Sequence, residues 1–298
     1  MISGNTSWIE CKLMKRIPIF LMGCFYGVSS SLSAVSSPFE EWTGIYLGIN
    51  GGYVTTHNKA QTHLSNIMTL PSPSSSPGLA ASTSIAGGSF SISSHDEGFI
   101  GGGQFGASYL LKPFVVGIET DIQGIAPNDH SRYASHVYAI PGFTTSKIAS
   151  NLVLTHGLEY LGTLRGRFGI LATPSLLLAA SGGYAYGGSQ TVTELTQSYL
   201  GTANNLMRTF MSEGGASHIQ KGWTVGGSLE WKIYSQWSTK LEYLYYDLGS
   251  VSYDASPLVS LINSGQSAGQ SLFANAVSVT SRYNGQLIRV GVNYWFAS

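Results

Sequence analysis

The sequence predicts an all-β fold, an eight-stranded antiparallel up-and-down transmembrane β-barrel with four long extracellular loops and short periplasmic turns. Three observations carry this: period-two alternation, low charge, and connections that alternate long and short. The clearest stretch is 159–171, E-Y-L-G-T-L-R-G-R-F-G-I-L. Tyr160, Gly162, Leu164, Gly166, Phe168 and Ile170 form one set, and Glu159, Leu161, Thr163, Arg165, Arg167 and Gly169 the other. Arginines two residues apart share a face only in an extended strand. The stretch is therefore a strand with an apolar and a charged face. In a membrane barrel the apolar face meets lipid and the charged face turns inward.

Composition supports that choice. Charged residues are 10% of the chain, with 37 Gly and 17 Tyr, against roughly 25% charged in soluble domains. Fifteen basic and fifteen acidic residues cancel, which leaves no field to attract nucleic acid. The longest apolar run is far short of the roughly 20 residues that a spanning helix needs, so a crossing has to be made by a closed barrel.

Lys12, Lys15 and Arg16 precede an apolar segment, 17–28, and then a run of small residues. That is the order of a secretory signal, assigned to residues 1–36 with cleavage after Ser33 or Ser36. Translation from Met14 is an alternative start. The barrel domain is 37–298, and because Cys11 and Cys24 both lie in the signal it carries no disulfide. A lipoprotein acylation site at Leu21-Met22-Gly23-Cys24 is the competing reading, which Met before Gly fits poorly.

The strands follow in order. In 42–54, Thr43, Ile45, Leu47, Ile49 and Tyr53 oppose Gly44, Tyr46, Gly48, Asn50 and Gly52. Residues 55–97, rich in Ser, Thr and Pro, read as a loop. Strands at 99–109 and 114–122 are joined by a Lys-Pro turn, and a second loop covers 124–157. Strand 159–171 turns at Thr173 to Ser175 into 176–186, and a third loop spans 188–221. Strands 223–233 and 237–245 enclose the turn at 234–236; a fourth loop, 250–281, precedes the last strand, 287–296. Three tight turns on one rim and four long loops on the other match the asymmetry of outer-membrane barrels, and the strand lengths suit tilted crossings.

The polar faces hold Glu119, Asp121, Glu159, Glu230 and Glu242 with Arg165, Arg167, Lys232, Lys240 and Arg289. Five acids and five bases predict an interior salt-bridge network, because a buried charge persists only when paired. A soluble sheet with a wet face would need a second apolar layer, and no segment is left to supply one. Aromatics fall into two girdles. Tyr53, Phe99, Tyr160, Tyr184, Tyr186, Trp223, Tyr245 and Tyr283 are assigned to the long-loop rim; Tyr109, Phe114, Phe168, Trp231, Trp237, Tyr294 and Phe296 to the other.

With the strands placed, the chain resembles the small eight-stranded, OmpA-like outer-membrane proteins. The resemblance lies in W-T-G-I-Y-L-G-I-N-G-G-Y at 42–53, L-R-G-R-F-G at 164–169, S-G-G-Y-A-Y-G at 181–187, E-Y-L-Y-Y-D-L-G at 242–249 and R-V-G-V-N-Y-W-F at 289–296. It covers the strands, roughly half of the chain, and leaves the loops unmatched. The branch that fits best includes bacterial surface antigens and hemin-binding proteins. The resemblance implies export by a Sec-type route to the outer membrane of a Gram-negative bacterium. It also implies recognition of a terminal aromatic, here Phe296, by the barrel-assembly machinery; Ala297 and Ser298 follow it, a departure from the family's ending.

Candidate chemistry is sparse. Gly101, Gly103 and Gly106 match a dinucleotide fingerprint by letter, but that motif works between a strand and a helix N-terminus, and these lie within a strand. His57, His63, His95, His130, His136, His156 and His218 all fall in or beside the first three long loops. Imidazole ligates haem, so hemin capture is one alternative; loops are also where histidine collects when lipid excludes it. A lipid A-modifying enzyme would need Ser, His and an acid together, and no such set can be singled out by sequence. A narrow porin-type channel conflicts with an interior that eight strands fill with side chains. The expectation is a non-enzymatic surface antigen without cofactor that acts in envelope integrity or adhesion through mobile polar loops. Its expected partners are outer-membrane lipid, lipopolysaccharide and an extracellular host or surface ligand.

Overall fold

The structure is a computed structural model that describes residues 42–69, 76–126, 130–143, 145–201, 206–261 and 271–296. The predicted signal segment and both cysteines lie outside the described residues. The elements are β1 (Gly44–Thr69), α1 (Ser76–Gly88), β2 (Ser91–Leu111), β3 (Phe114–Ile125), β4 (His130–Ala139), β5 (Lys147–Thr173), β6 (Leu176–Leu200), β7 (Leu206–Tyr234), β8 (Trp237–Leu261) and β9 (Ser271–Phe296).

All strands join one sheet in the order β3-β2-β1-β9-β8-β7-β6-β5-β4, and an added β3–β5 pairing closes it. Eight strands make the lower ring, and above it β4 takes the place of β3 on the same edge of β5. Every pairing is antiparallel. Register partners lead from Val54 through Leu287, Leu244, Gly226, Ser181, Arg167, Gly117 and Ser108 to Gly44, ten residues lower on the starting strand. This stagger tilts the strands and fixes a bore that side chains fill.

Outward faces of the lower ring are apolar. Ile49 and Phe99 are each 73% exposed and Ile118 63%. Such exposure of large hydrophobics all round a ring is tolerable only in hydrocarbon. Among the described residues no charged side chain interrupts this band.

The strands are far longer than expected. β1, β5, β7, β8 and β9 run 25 to 29 residues, where a crossing takes about 9–11. The described parts of the four predicted loops are therefore mostly strand, not mobile loop. Ser and Thr occur there on both faces, with Thr62, Ser150, Thr191 and Thr193 buried beside the inward apolar residues. Above the bilayer water replaces lipid, so the strands no longer need an apolar outer face and can turn apolar residues to the inside. On β5, Leu164 and Phe168 point outward, whereas Ile148, Leu152 and Leu154 are buried inside. A bulge between Leu158 and Tyr160 shifts the register and reverses which residues face in.

The predicted first loop also contains α1, which lies inside the upper bore. Ala80 and Ala81 pack with Leu64, Leu152, Leu195 and Phe273. Ser84 Oγ donates to Gln197 Oε1 (2.5 Å) and accepts from Asn275 Nδ2 (2.9 Å), while Gln197 Nε2 donates to Ser150 Oγ (2.9 Å). A Cβ on Gly88 would meet Leu64, so this position has to be small for the helix to seat.

β3 ends at Ile125, so the upper edges of β2 and β4 face each other without a backbone ladder. Side chains clasp this seam: Arg132 Nη2 donates to Asp96 Oδ1 (2.8 Å) and to the His95 carbonyl (3.2 Å), and Phe90 stacks on His136.

Candidate functional site

The interior of the membrane ring is built by inward residues of β3, β5, β7, β8 and β9. Arg165 is fully buried and reaches Glu119 (2.5 Å), Asp121 (2.8 Å) and Glu242 (2.7 Å). Arg289 pairs with Asp121 (2.7 Å) and Glu242 (2.5 Å). Arg167 joins Glu230 (2.7 Å) to Glu119 (3.3 Å), and Lys240 Nζ lies 2.7 Å from Glu119. Four carboxylates thus meet four cations in one connected, neutral cluster. Each ion would cost several kcal/mol to desolvate alone, so sharing of partners is what makes the cluster tolerable.

Two predicted members behave differently. Glu159 is exposed. It sits at the β5 bulge, where the extra residue breaks the alternation that assigned it inward. Lys232 is buried near the lower rim, where its Nζ donates to the Ser235 carbonyl (3.1 Å) and lies over the rings of Trp295 and Trp42. Tyr46 is a member that the sequence reading missed. Its hydroxyl donates to Glu119 Oε2 (2.5 Å) and also contacts Arg167. Its inward parity was visible; that a tyrosine would join an ion cluster was not. Tyr283 also departs from expectation. It is buried inside, bonded to Thr191 (2.5 Å), because the odd residues of β9 face the bore.

The bore is filled in layers. Trp42, Tyr46, Val115, Leu177 and Trp295 close the lower end. The ions come next, then an apolar layer that includes Val54, Leu161, Leu244, Tyr246 and Leu287, and finally the cluster around α1.

Between the last two layers lies a cleft of about 310 Å³ bordered by Asn58, Asp96, Ile125, His156 and Leu158. Here the structure brings together a set that sequence did not single out. Ser94 Oγ is 2.6 Å from His156 Nε2, which is 3.2 Å from Asp96 Oδ2. Acyl transfer uses opposite ring nitrogens for the serine and the acid; in this set both contacts fall on one nitrogen. Burial would raise the Asp96 pKa, but hydrogen bonds from Arg132 and Ser94 and the charges of His156 and Arg132 hold it below the ordinary carboxylate range.

The predicted histidines do not converge. His57 and His95 touch ring to ring across β1–β2, centroids 4.5 Å apart. His130 and His156 are register partners on β4 and β5, and His136 stacks on Phe90. His63 and His218 are exposed on β1 and β7. Among the described residues no group of three or more His, Cys, Asp or Glu could hold a metal ion.

A closed ring with an apolar exterior and an ion-filled bore defines the class: a transmembrane β-barrel protein. The chain is similar to the 31 kDa outer-membrane immunogenic proteins of Brucella melitensis and Brucella suis, 29% identical over 272 residues that cover 90% of each chain. No protein-family model matches it. Among solved structures, outer membrane protein OprG from Pseudomonas aeruginosa aligns with a TM-score of 0.41 at 10% identity, over 86% of this chain and 97% of that one. The attachment invasion locus protein Ail of Yersinia pestis aligns at 0.24 and 9%, over 80% and 98%. This protein is a surface protein of the Gram-negative outer membrane.

Proposed function

We propose that the protein is a non-enzymatic surface antigen of the OmpA-like type, acting in envelope integrity or adhesion through the part that projects beyond the bilayer. The observation that carries this is the filled bore: ion cluster, aromatic floor and helix leave side chains at every level. A sealed interior supports display over transport, and the contacts of His156 support a structural role over acyl transfer. The immunogenic character in the relatives' printed name supports exposure of the projecting strands to the outside. A deletion strain should lose resistance to bile salts or adherence to host cells, with recovery on complementation. Unchanged resistance and adherence in the deletion strain would sink the proposal.

A further inference from the structure

Cations on the outside of the barrel are not spread evenly. Trp223 on β7 belongs to the upper aromatic girdle, and Lys221 lies two residues above it on the same outward face. On β9, Arg282 also faces outward, and its register partner on β1 is Lys59, exposed as well. Asp247 pairs with Arg282 at 2.7 Å but leaves 58% of that side chain exposed. The side chains of Lys59 and Lys221 make no hydrogen bond or ion pair with the described residues. β8 bulges between Asp247 and Ser250, with Gly249 at φ +74°, and this opens a cleft between Lys221 and Arg282 above the Trp223 ring. β7 to β1 is three strand spacings, about 14 Å at about 4.8 Å each. The nearest outward acid on β2, Glu97, accepts the Tyr53 hydroxyl at 2.6 Å.

We propose that this face of β7, β8, β9 and β1 binds the phosphorylated sugar headgroup of an outer-leaflet glycolipid. The girdle fixes the height at which headgroups begin; Lys221 stands two residues above Trp223, and Lys59 stands six above Tyr53 on its own strand, so the row climbs from the girdle into the sugar region. Guanidinium and ammonium groups are phosphate ligands, and their row is of the same order of length as a disaccharide phosphorylated at both ends. Trp223 offers an amphipathic floor where acyl chains give way to sugar. The site rests on the outer-membrane reading, since only there does such a lipid line the barrel.

The test uses the full chain folded into nanodiscs that contain bisphosphorylated lipid A, dephosphorylated lipid A or phosphatidylcholine, with retained lipid read by native mass spectrometry. Wild type should retain the bisphosphorylated lipid selectively, and K59Q/R282Q/K221Q should bind it at least about tenfold more weakly. Equal retention by wild type and variant, or no selectivity in wild type, overturns the proposal. Displacement by millimolar inorganic phosphate would make it a free-anion site and overturn the lipid assignment. A gel shift between unboiled and boiled samples reports folding separately. If that shift is absent the barrel reading fails, whereas a shift without lipid selectivity defeats this site alone.

Discussion

Arg165 shows what a single residue holds in this bore. It serves three carboxylates at once, so its loss strands Glu119, Asp121 and Glu242 with fewer cations than acids. Breaking one partner of a buried pair costs about 3–5 kcal/mol. Arg165→Met should destabilise the barrel by about that much, read by urea unfolding in lipid vesicles; a loss under about 1 kcal/mol would mean that the ions are effectively solvated. Gly106 is the second case. The Tyr46 ring lies where its Cβ would be, so Gly106→Val should displace the ring and cost about 1–3 kcal/mol. Asp96 gives a pH dependence. Its folded pKa is depressed, so its contribution is present above the unfolded value of about 3.9 and is lost as pH falls through the folded one. Hydrogen exchange of β4 amides should rise as the Arg132–Asp96 clasp is protonated, and Asp96→Asn should abolish the step. Exchange that stays flat across that range in wild type would refute the clasp.

At the scale of elements, sequence alternation located all eight ring strands because lipid outside and ions inside give each residue parity its own chemistry. It could not locate the upper strands. Where water wets the outside, Ser and Thr stand on both faces, with Thr191, Thr193 and Ser212 buried and Val192 outward, while Leu64, Leu152, Leu195 and Phe273 supply the apolar interior, a mixture with the composition of a loop. Nor was α1 visible, since its small residues Ala80, Ala81 and Ser84 fit a narrow bore and make no apolar stripe. Glu159 was misplaced by one bulge, which no alternation rule can foresee. The boundary between the two regimes can be measured. Leu164→Arg should cost about 2–4 kcal/mol in a bilayer and Val192→Arg about 0–1. Both are outward and about half exposed, so equal costs would mean that the apolar band does not stop at the girdle.

For the whole molecule the layered bore predicts electrical silence. Planar-bilayer recordings should show no steady nanosiemens-scale steps, and removal of the helix should not create them, because the ion cluster and the Trp42–Trp295 floor remain. Steady conductance would show that the layers do not seal. The balance of charge that suggested such a plug was readable before any coordinates. The partners within it were not, because register and tilt decide which ions meet.

The upper half deserves to be considered as an object in its own right. Its ladders continue past the membrane and enclose a small core around α1. The cell therefore wears a rigid turret, not tentacles. Antibodies that recognise it should read folded relief assembled from several strands, and short linear peptides copied from 188–221 should compete poorly for them.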